Sequence, residues 1–272
     1  MTTSEGKPAH RKPHSHTVTD GIERAAARGM LRAVEHSLYA RMELTSPILD
    51  IGAGDGNFAA ALGIGPSSLG VDPWYEPIKE ASALGVYNLL VQAWGGALPV
   101  EKESFPCAVS NSVLEHIPDV QPVLDEICRV LTPDGVFFFT VPNQRFRTEL
   151  WGCMLLRKLG LHRAAARYSV FFNRIARHYN LDEPEVWTER LKRAGFAEVE
   201  HWNYFPISAM RMLERGHAAG LPNLLWKKLF GSWILFPNRR NPFLRYKRLR
   251  ALLDAPLCEN GTCTFFAVRK GA

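Results

Sequence analysis

The sequence predicts an α/β fold in which helices cover a mostly parallel sheet. Short apolar segments and helical patterns alternate between residues 47 and 142, which favours parallel strands joined by right-handed crossovers. Residues 135–141, GVFFFTV, are apolar at nearly every position, as expected for a strand that is buried on both faces. The 272 residues are enough to bury a full core.

The elements follow in a regular order with two interruptions. The predicted strands cover residues 47–51, 68–72, 87–92, 107–111, 135–141, 197–204 and 261–268, and the predicted helices 21–42, 76–84, 120–131, 183–194 and one beginning at residue 57. A helical insertion at about 144–180 and a second insertion at about 205–258 break the alternation. Residues 1–20 are polar, and we predict a disordered tail there followed by one domain over 21–272; a metal site formed by His10, His14 and His16 is the alternative.

Composition indicates a cytoplasmic protein. Apolar residues make up 46% and charged residues 22%, which is ordinary for a globular domain. The five cysteines have no metal-ligand spacing, so we expect reduced thiols and no metal site. We also expect no signal peptide and no membrane-spanning helix. The net charge of +6 allows an anionic partner or surface.

A glycine-rich turn, ILDIGAGDGNF, follows the first predicted strand. Glycine destabilises regular structure by about 0.5–1 kcal/mol relative to alanine, so three glycines at alternate positions suggest a ligand that approaches the backbone. A nicotinamide dinucleotide turn, G-x-G-x-x-G, would need glycine where Asn57 stands. Asp50 instead lies two positions before Gly52 and gives the pattern D-x-G-x-G-x-G.

This pattern resembles motif I of the class I S-adenosylmethionine-dependent methyltransferases. LGVDPW, VQAWGGALPVEKESF and VSNSVLEHIPDVQPVLDEICRVLTPDGVFFFTVPN resemble later segments of that family, so the similarity covers about residues 45–143, with a weaker match in EPEVWTERLKRAGFAEVE. The resemblance implies a Rossmann-like, doubly wound seven-stranded sheet whose last strand is antiparallel, with the two insertions as helical caps. It also implies S-adenosyl-L-methionine as the cofactor.

The resemblance further implies how the cofactor is held. Asp72 would accept hydrogen bonds from the ribose hydroxyls. Gln92, where most relatives carry aspartate, would bond the adenine amine while Trp94 covers the ring. Ser110 and Asn111 end the fourth strand, where ligands lie in open α/β sheets, so we predict that their backbone meets the methionine end. The implied cofactor-binding residues are Asp50, Gly52, Ala53, Gly54, Gly56, Asp72, Pro73, Gln92, Ala93, Trp94, Ser110 and Asn111.

Two residues are candidates for the chemistry itself. His116 follows the fourth strand and is the predicted general base, with a capping or packing role as the alternative. Asn143 ends the fifth strand and could orient the acceptor. We expect Glu115 to cap or pair locally.

The two insertions are strongly basic and are expected to lie over the acceptor side of the cofactor. The first carries eight cations against Glu149 alone, and the second ten cations against two acids. Residues 221–236 of the second have an apolar, aromatic face that could pack on the core or lie on an anionic membrane; nucleic acid is a weaker alternative. We therefore predict methyl transfer, by preference to oxygen, to a hydrophobic or anionic small-molecule or lipid-linked acceptor. A nicotinamide enzyme and a non-catalytic binding module are the alternatives.

Overall fold

The computed structural model describes residues 26–65, 68–211, 214 and 257–271. The helices are α1 (Ala26–Tyr39), α2 (Asn57–Leu62), α3 (Tyr75–Leu84), α4 (Gln121–Val130), α5 (Gln144–Thr148), α6 (Trp151–Lys158), α7 (His162–Ala176) and α8 (Pro184–Ala194), with a 3₁₀ helix at Leu114–His116. The strands are β1 (Ile48–Ile51), β2 (Leu69–Asp72), β3 (Leu89–Gln92), β4 (Phe105–Asn111), β5 (Leu131–Pro142), β6 (Phe196–Pro206) and β7 (Gly261–Lys270).

The seven strands form one sheet in the order β3-β2-β1-β4-β5-β7-β6. The strands from β1 to β5 pair in parallel, whereas β7 is antiparallel to both β5 and β6. This topology confirms the predicted fold class, including the antiparallel last strand. Since β1 to β6 all run in one direction, their carboxyl ends lie along a single side of the sheet, called here the carboxyl edge.

Alternating side chains of the central strands enter two separate apolar layers. Phe137 and Phe139 of β5 pack with Trp187 of α8 in one layer. Phe138, between them, packs with Tyr39 of α1 in the other. A strand between two helical layers must be apolar on both faces, and each fully buried large side chain contributes about 1.5–3 kcal/mol of transfer free energy. This explains the run of three phenylalanines.

Strand β5 begins earlier than predicted. We expected the strand from residue 135, after a turn, but it starts at Leu131, immediately after α4 ends at Val130. Leu131 pairs with Phe105, and the register then shifts before Cys107 pairs with Val136. The turn residues Thr132–Gly135 therefore form an irregularity within the strand, which periodicity alone does not reveal.

The first insertion is helical, as predicted, and forms α5, α6 and α7. Residues from the start of the second insertion pack on it. Arg211 forms an ion pair with Glu149 at 2.8 Å, and the buried Glu214 carboxylate accepts hydrogen bonds from the Gly152 N–H (3.1 Å) and the Tyr168 hydroxyl (2.7 Å). The predicted apolar face at 221–236 and the tail histidines lie outside the described residues. No helix in the described ranges is long and apolar enough to cross a membrane.

Candidate functional site

The glycine turn, residues 52–56, occupies the carboxyl edge between β1 and α2. Gly52, Gly54 and Gly56 all have left-handed backbone angles, with φ of 79°, 55° and 76°. A Cβ at Gly52 would lie 2.4 Å from a methyl group of Val113, so this glycine is also required by packing. A Cβ at Gly54 would meet only the carbonyl oxygen of Gly52, at 3.9 Å, among the described residues beyond its chain neighbours. The backbone at Gly54 is therefore open on one side.

Asp72 is fixed against this turn by main-chain donors. It ends β2 and is buried, and its Oδ2 accepts the N–H of Gly54 at 3.1 Å while Oδ1 accepts the N–H of Trp74 at 2.9 Å. A carboxylate can accept about four hydrogen bonds, so both oxygens keep capacity for further donors. The structure thus brings Asp72 and Gly54 together, and the ribose role of Asp72 stays a prediction.

Asp50 lies beneath the turn in β1 rather than on its open side. Its Oδ2 accepts the hydroxyl of Tyr87 at 2.6 Å, and the side chain is buried. Burial raises the pKa of Asp50 to about 6 because the charged form loses solvation. The sequence did not indicate Tyr87 as its partner, since a tyrosine in the predicted strand 87–92 is ordinary. Its hydroxyl tethers the segment before β3 to β1.

The predicted adenine loop lies beside Asp72 because β2 and β3 pair in register at Asp72 and Gln92. The Gln92 amide donates to the carbonyl oxygen of Pro73 at 3.0 Å, and the N–H of Ala93 donates to that of Asp72 at 3.2 Å. Trp94 is 66% exposed, and its ring centroid is 6.1 Å from that of Trp74, which is 62% exposed, in an edge-on arrangement. Two exposed tryptophan rings beside a glycine turn provide aromatic surface for a flat base.

Ser110 and Asn111 end β4 with their polar groups already engaged. Ser110 Oγ donates to the Ile51 carbonyl oxygen at 2.9 Å. The Ser110 carbonyl oxygen accepts the hydroxyl of Tyr39 at 2.8 Å, and that of Asn111 accepts Arg32 at 3.0 Å. The contact of this backbone with the cofactor stays a prediction. A cofactor that hydrogen-bonds to these two carbonyl oxygens would share them with side chains of α1.

Glu35 of α1 is a residue that sequence reasoning missed. Its carboxylate is fully buried and accepts hydrogen bonds from the side chains of Asn111 (2.9 Å), Ser112 (2.8 Å) and Tyr204 (3.0 Å). Arg32 lies 3.3 Å away, and burial raises the pKa of Glu35. The available signal was a glutamate next to Val34 on the apolar side of α1. Glu35 links α1, β4 and β6 at the carboxyl edge.

His116, the predicted base, lies at the carboxyl edge in the 3₁₀ helix after β4. Its Nδ1 is 3.0 Å from the carbonyl oxygen of Arg177. A carbonyl can only accept, so Nδ1 carries the proton in this bond and Nε2 keeps its lone pair. Burial lowers the pKa of His116, which keeps the ring neutral near pH 7. These properties suit a proton acceptor, and the catalytic role stays a prediction.

Asn143, the other catalytic candidate, has a side chain occupied by the protein itself. Its Oδ1 accepts the N–H of Arg145 at 3.0 Å and caps α5. Its Nδ2 donates to the Gly261 carbonyl oxygen and to Thr264 Oγ1, each at 3.1 Å. The residue is buried, so these contacts indicate a cap that joins β5 to β7. No observation here bears on the predicted contact with an acceptor.

Glu115 and His178 complete the site beside His116. Glu115 is 2% exposed, and burial raises its pKa to about 8. Its Oε1 lies 3.8 Å from His116 Nε2, while its Oε2 has no hydrogen-bond partner among the described residues. The His178 ring, at the end of the first insertion, has its centroid 5.2 Å from that of His116. Sequence reasoning missed His178 because it lies far from His116 along the chain.

Known proteins resemble this chain in sequence. Residues 15–201 match the sequence model of the family described as "Methyltransferase domain". An uncharacterized methyltransferase of Mycobacterium sp. (strain KMS) is 36% identical over 125 residues, which are 45% of this chain and 49% of that protein. The chain thus spans about half the length of the curated relatives it matches.

Solved structures resemble it in fold. A possible histamine N-methyltransferase of Thermotoga maritima, described as SAM-dependent, has a TM-score of 0.54 at 17% identity, covering 92% of this chain and 91% of that one. A phosphoethanolamine N-methyltransferase of Haemonchus contortus, solved with S-adenosyl-L-methionine, has a TM-score of 0.52 at 19% identity, covering 94% and 60%. These low identities show the fold alone. The family match covers more than half of the chain, and the chain therefore belongs to the methyltransferase domain family.

Proposed function

We propose that the chain uses S-adenosyl-L-methionine to methylate an oxygen of a hydrophobic or anionic acceptor, either a small molecule or a lipid-linked one. The observation that carries the cofactor assignment is the open backbone at Gly54, whose N–H is held by the Asp72 carboxylate at 3.1 Å. A bare main chain beside a carboxylate with free acceptor capacity suits a nucleoside that presents two hydroxyls.

The proposed reaction follows from the sulfonium cofactor. The acceptor oxygen attacks the methyl carbon in line with the departing sulfur, so a carbon–oxygen bond forms as the carbon–sulfur bond breaks, leaving S-adenosylhomocysteine. Positioning of the two reactants supplies much of the rate. The hydroxyl proton goes to a base, and His116 Nε2 is the candidate because its Nδ1 is engaged with the Arg177 carbonyl oxygen.

The nature of the acceptor is proposed from the surface of the first insertion. Its acidic residue, Glu149, is paired with Arg211 and so does not neutralise the arginines of α7. One face of α7 combines exposed cations with exposed apolar side chains at helical spacing: Arg163, Arg167, Val170, Phe171 and Arg174. A surface of this kind favours an acceptor that carries both an anionic group and an apolar part.

The cofactor assignment is tested by calorimetric titration of the purified full chain. We expect S-adenosyl-L-methionine and S-adenosylhomocysteine to bind and NAD⁺ not to bind. Asp72→Ala should weaken binding of both sulfur compounds by about 1–3 kcal/mol, since buried hydroxyls lose a charged acceptor. Glu80→Ala, which changes an exposed acid on α3, should leave the affinity unchanged. Equal affinity in the wild type and Asp72→Ala would contradict the ribose role.

The same protein separates the two alternative functions. A nicotinamide enzyme would bind NAD⁺ in that titration and not the sulfonium cofactor. A non-catalytic module would bind the cofactor but transfer nothing. Incubation of the full chain with a labelled methyl donor and cell extract distinguishes that case, because only an enzyme yields a labelled acceptor.

A further inference from the structure

Three side chains converge at His116, the candidate base. Glu115, His116 and His178 each offer one potential metal-ligand atom, and these three atoms all lie within 4.8 Å of one another. The first two come from the 3₁₀ helix after β4, and the third comes from the loop after α7. The main chain fixes that loop, because the N–H groups of Tyr179 and Asn180 both donate to the Glu115 carbonyl oxygen, at 2.7 and 3.2 Å.

The imidazole of His116 is oriented as a metal ligand usually is. Its Nδ1–H donates to the Arg177 carbonyl oxygen at 3.0 Å, so the lone pair is left on Nε2. A hydrogen bond from the second ring nitrogen to a carbonyl is the common way in which proteins fix the tautomer of a metal-binding histidine. Nε2 lies 3.8 Å from Glu115 Oε1, which is too long for a hydrogen bond.

The other two residues present buried atoms that the described part of the chain leaves unsatisfied. Glu115 Oε2 and His178 Nδ1 are both buried without a hydrogen-bond partner there. The Glu115 side chain is 98% buried, its relative exposure being 2%. An unpaired buried polar atom costs about 1–3 kcal/mol, so each of these two atoms needs an explanation. A cation coordinated through Glu115 Oε2 and His178 Nδ1 would satisfy both.

We propose that Glu115, His116 and His178 bind a divalent transition metal ion, with Zn²⁺ as the ion that best fits the donors. Two imidazoles and one carboxylate form a ligand set of catalytic zinc sites, which keep a fourth position open. Manganese, iron and cobalt accept similar donors. Ligands around one zinc ion are roughly 3.3 Å apart, given bonds of about 2.0–2.1 Å, so rotations of the side chains must close the site.

The open position gives the metal a function that rests on the proposed methyl transfer. An acceptor hydroxyl bound there would lose its proton to solvent more readily, because a metal ion lowers the pKa of a bound oxygen. The resulting oxygen would attack the methyl group, and His116 would act as a ligand in place of a base. The metal site itself is independent of this role and can be measured without cofactor.

The test is equilibrium dialysis of the untagged full chain against Zn²⁺ at pH 7.5, followed by elemental analysis. All proteins carry His10→Gln, His14→Gln and His16→Gln, so that the tail does not contribute. We expect about one ion per chain. Glu115→Gln, His116→Ala and His178→Ala should each weaken binding by at least about 100-fold, since loss of a second-shell partner already costs 10–100-fold. His162→Ala, which removes an exposed histidine at the start of α7, should bind as the parent does.

Circular dichroism of the metal-free variants checks their folding, and His116→Ala, at a ring that is 43% exposed, is the variant least able to disturb the core. Visible absorption of the Co²⁺ form should report histidine coordination and disappear in the same three variants. The proposal is overturned if the parent retains neither Zn²⁺ nor Co²⁺ nor Mn²⁺, if folded His116→Ala binds as tightly as the parent, or if His162→Ala loses binding too. Titration of S-adenosyl-L-methionine is a separate measurement, so either proposal can fail alone.

Discussion

The carboxyl edge has two halves, and the buried carboxylates of the two halves have different kinds of hydrogen-bond partners. In the half around the glycine turn, Asp72 accepts the backbone N–H groups of Gly54 and Trp74, and Asp50 accepts the Tyr87 hydroxyl. In the half around His116, Glu35 accepts hydrogen bonds from side chains of β4, of the residue after it and of β6, and Glu115 keeps one buried oxygen without a partner among the described residues.

This difference indicates two kinds of binding surface. The turn half is already in its bonded arrangement, so a ligand that docks there requires little reorganisation, and rigid sites lose less free energy on binding. The His116 half holds buried polar atoms without partners among the described residues, and only a bound group would offset their cost.

The largest expected effect comes from removing the acid that organises the second half. Glu35→Ala would leave the buried donors of Asn111 and Tyr204 without their acceptor, at about 1–3 kcal/mol each, and would also remove the partner of the half-buried Ser112 hydroxyl. We expect the free energy of unfolding, measured by urea denaturation, to fall by about 5 kcal/mol. Glu43→Ala, at an exposed acid just after α1, should change it by less than about 0.5 kcal/mol. A small loss in Glu35→Ala would mean that the network contributes little.

The next effect tests the rigidity of the turn half. Gly52→Ala places a Cβ 2.4 Å from Val113 and forces a left-handed φ, so we expect a loss of about 3 kcal/mol in the same measurement. Gly85→Ala is the matched control, because its φ of 61° is also left-handed but its added Cβ meets nothing within 4 Å in the described part of the chain. The control should lose only about 1 kcal/mol. Adding Val113→Ala to Gly52→Ala should recover part of the difference, because it removes the two methyl groups but leaves the Cβ of residue 113 at 3.0 Å. No recovery at all would contradict the role of the Val113 methyl groups.

The smallest of these effects depends on pH. Burial raises the pKa of Asp50 to about 6 from 3.8, so the folded protein binds a proton more tightly than the unfolded chain does. The contribution of this proton binding to the free energy of unfolding is present at low pH and is lost as pH rises through about 6. We compare the free energies of unfolding of the cofactor-free wild type and Asp50→Asn. As pH rises from 4 to 7, the value for the wild type should fall by about 2 kcal/mol more than the value for the variant does. A constant difference over that range would contradict the raised pKa.

The sequence was most informative where bonded residues are neighbours along the chain. The pattern from Asp50 to Gly56 predicted the turn, and the alternation of strands and helices predicted the sheet. Asp72 was singled out at the end of the second strand through the family resemblance, as an acceptor for the ribose hydroxyls. The bond that actually fixes it, from the N–H of Gly54, was visible only in the structure.

The second half could not be predicted in this way. Glu35, Glu115 and His178 are ordinary residues in their own segments, and no local spacing sets them apart. The partners of Asn143 within the fold, Arg145, Gly261 and Thr264, were not predicted, and its contact with an acceptor stays a prediction. Two of these lie in β7, more than a hundred residues away.

The sequence by itself determined the fold class and the glycine turn, because backbone freedom and hydrophobic periodicity are properties of short segments. Only the tertiary structure decided which polar side chains meet at the carboxyl edge. Those side-chain contacts depend on how separate helices pack across the sheet. Burial then sets the cost of each unpaired atom, and neither packing nor burial is encoded in any one segment.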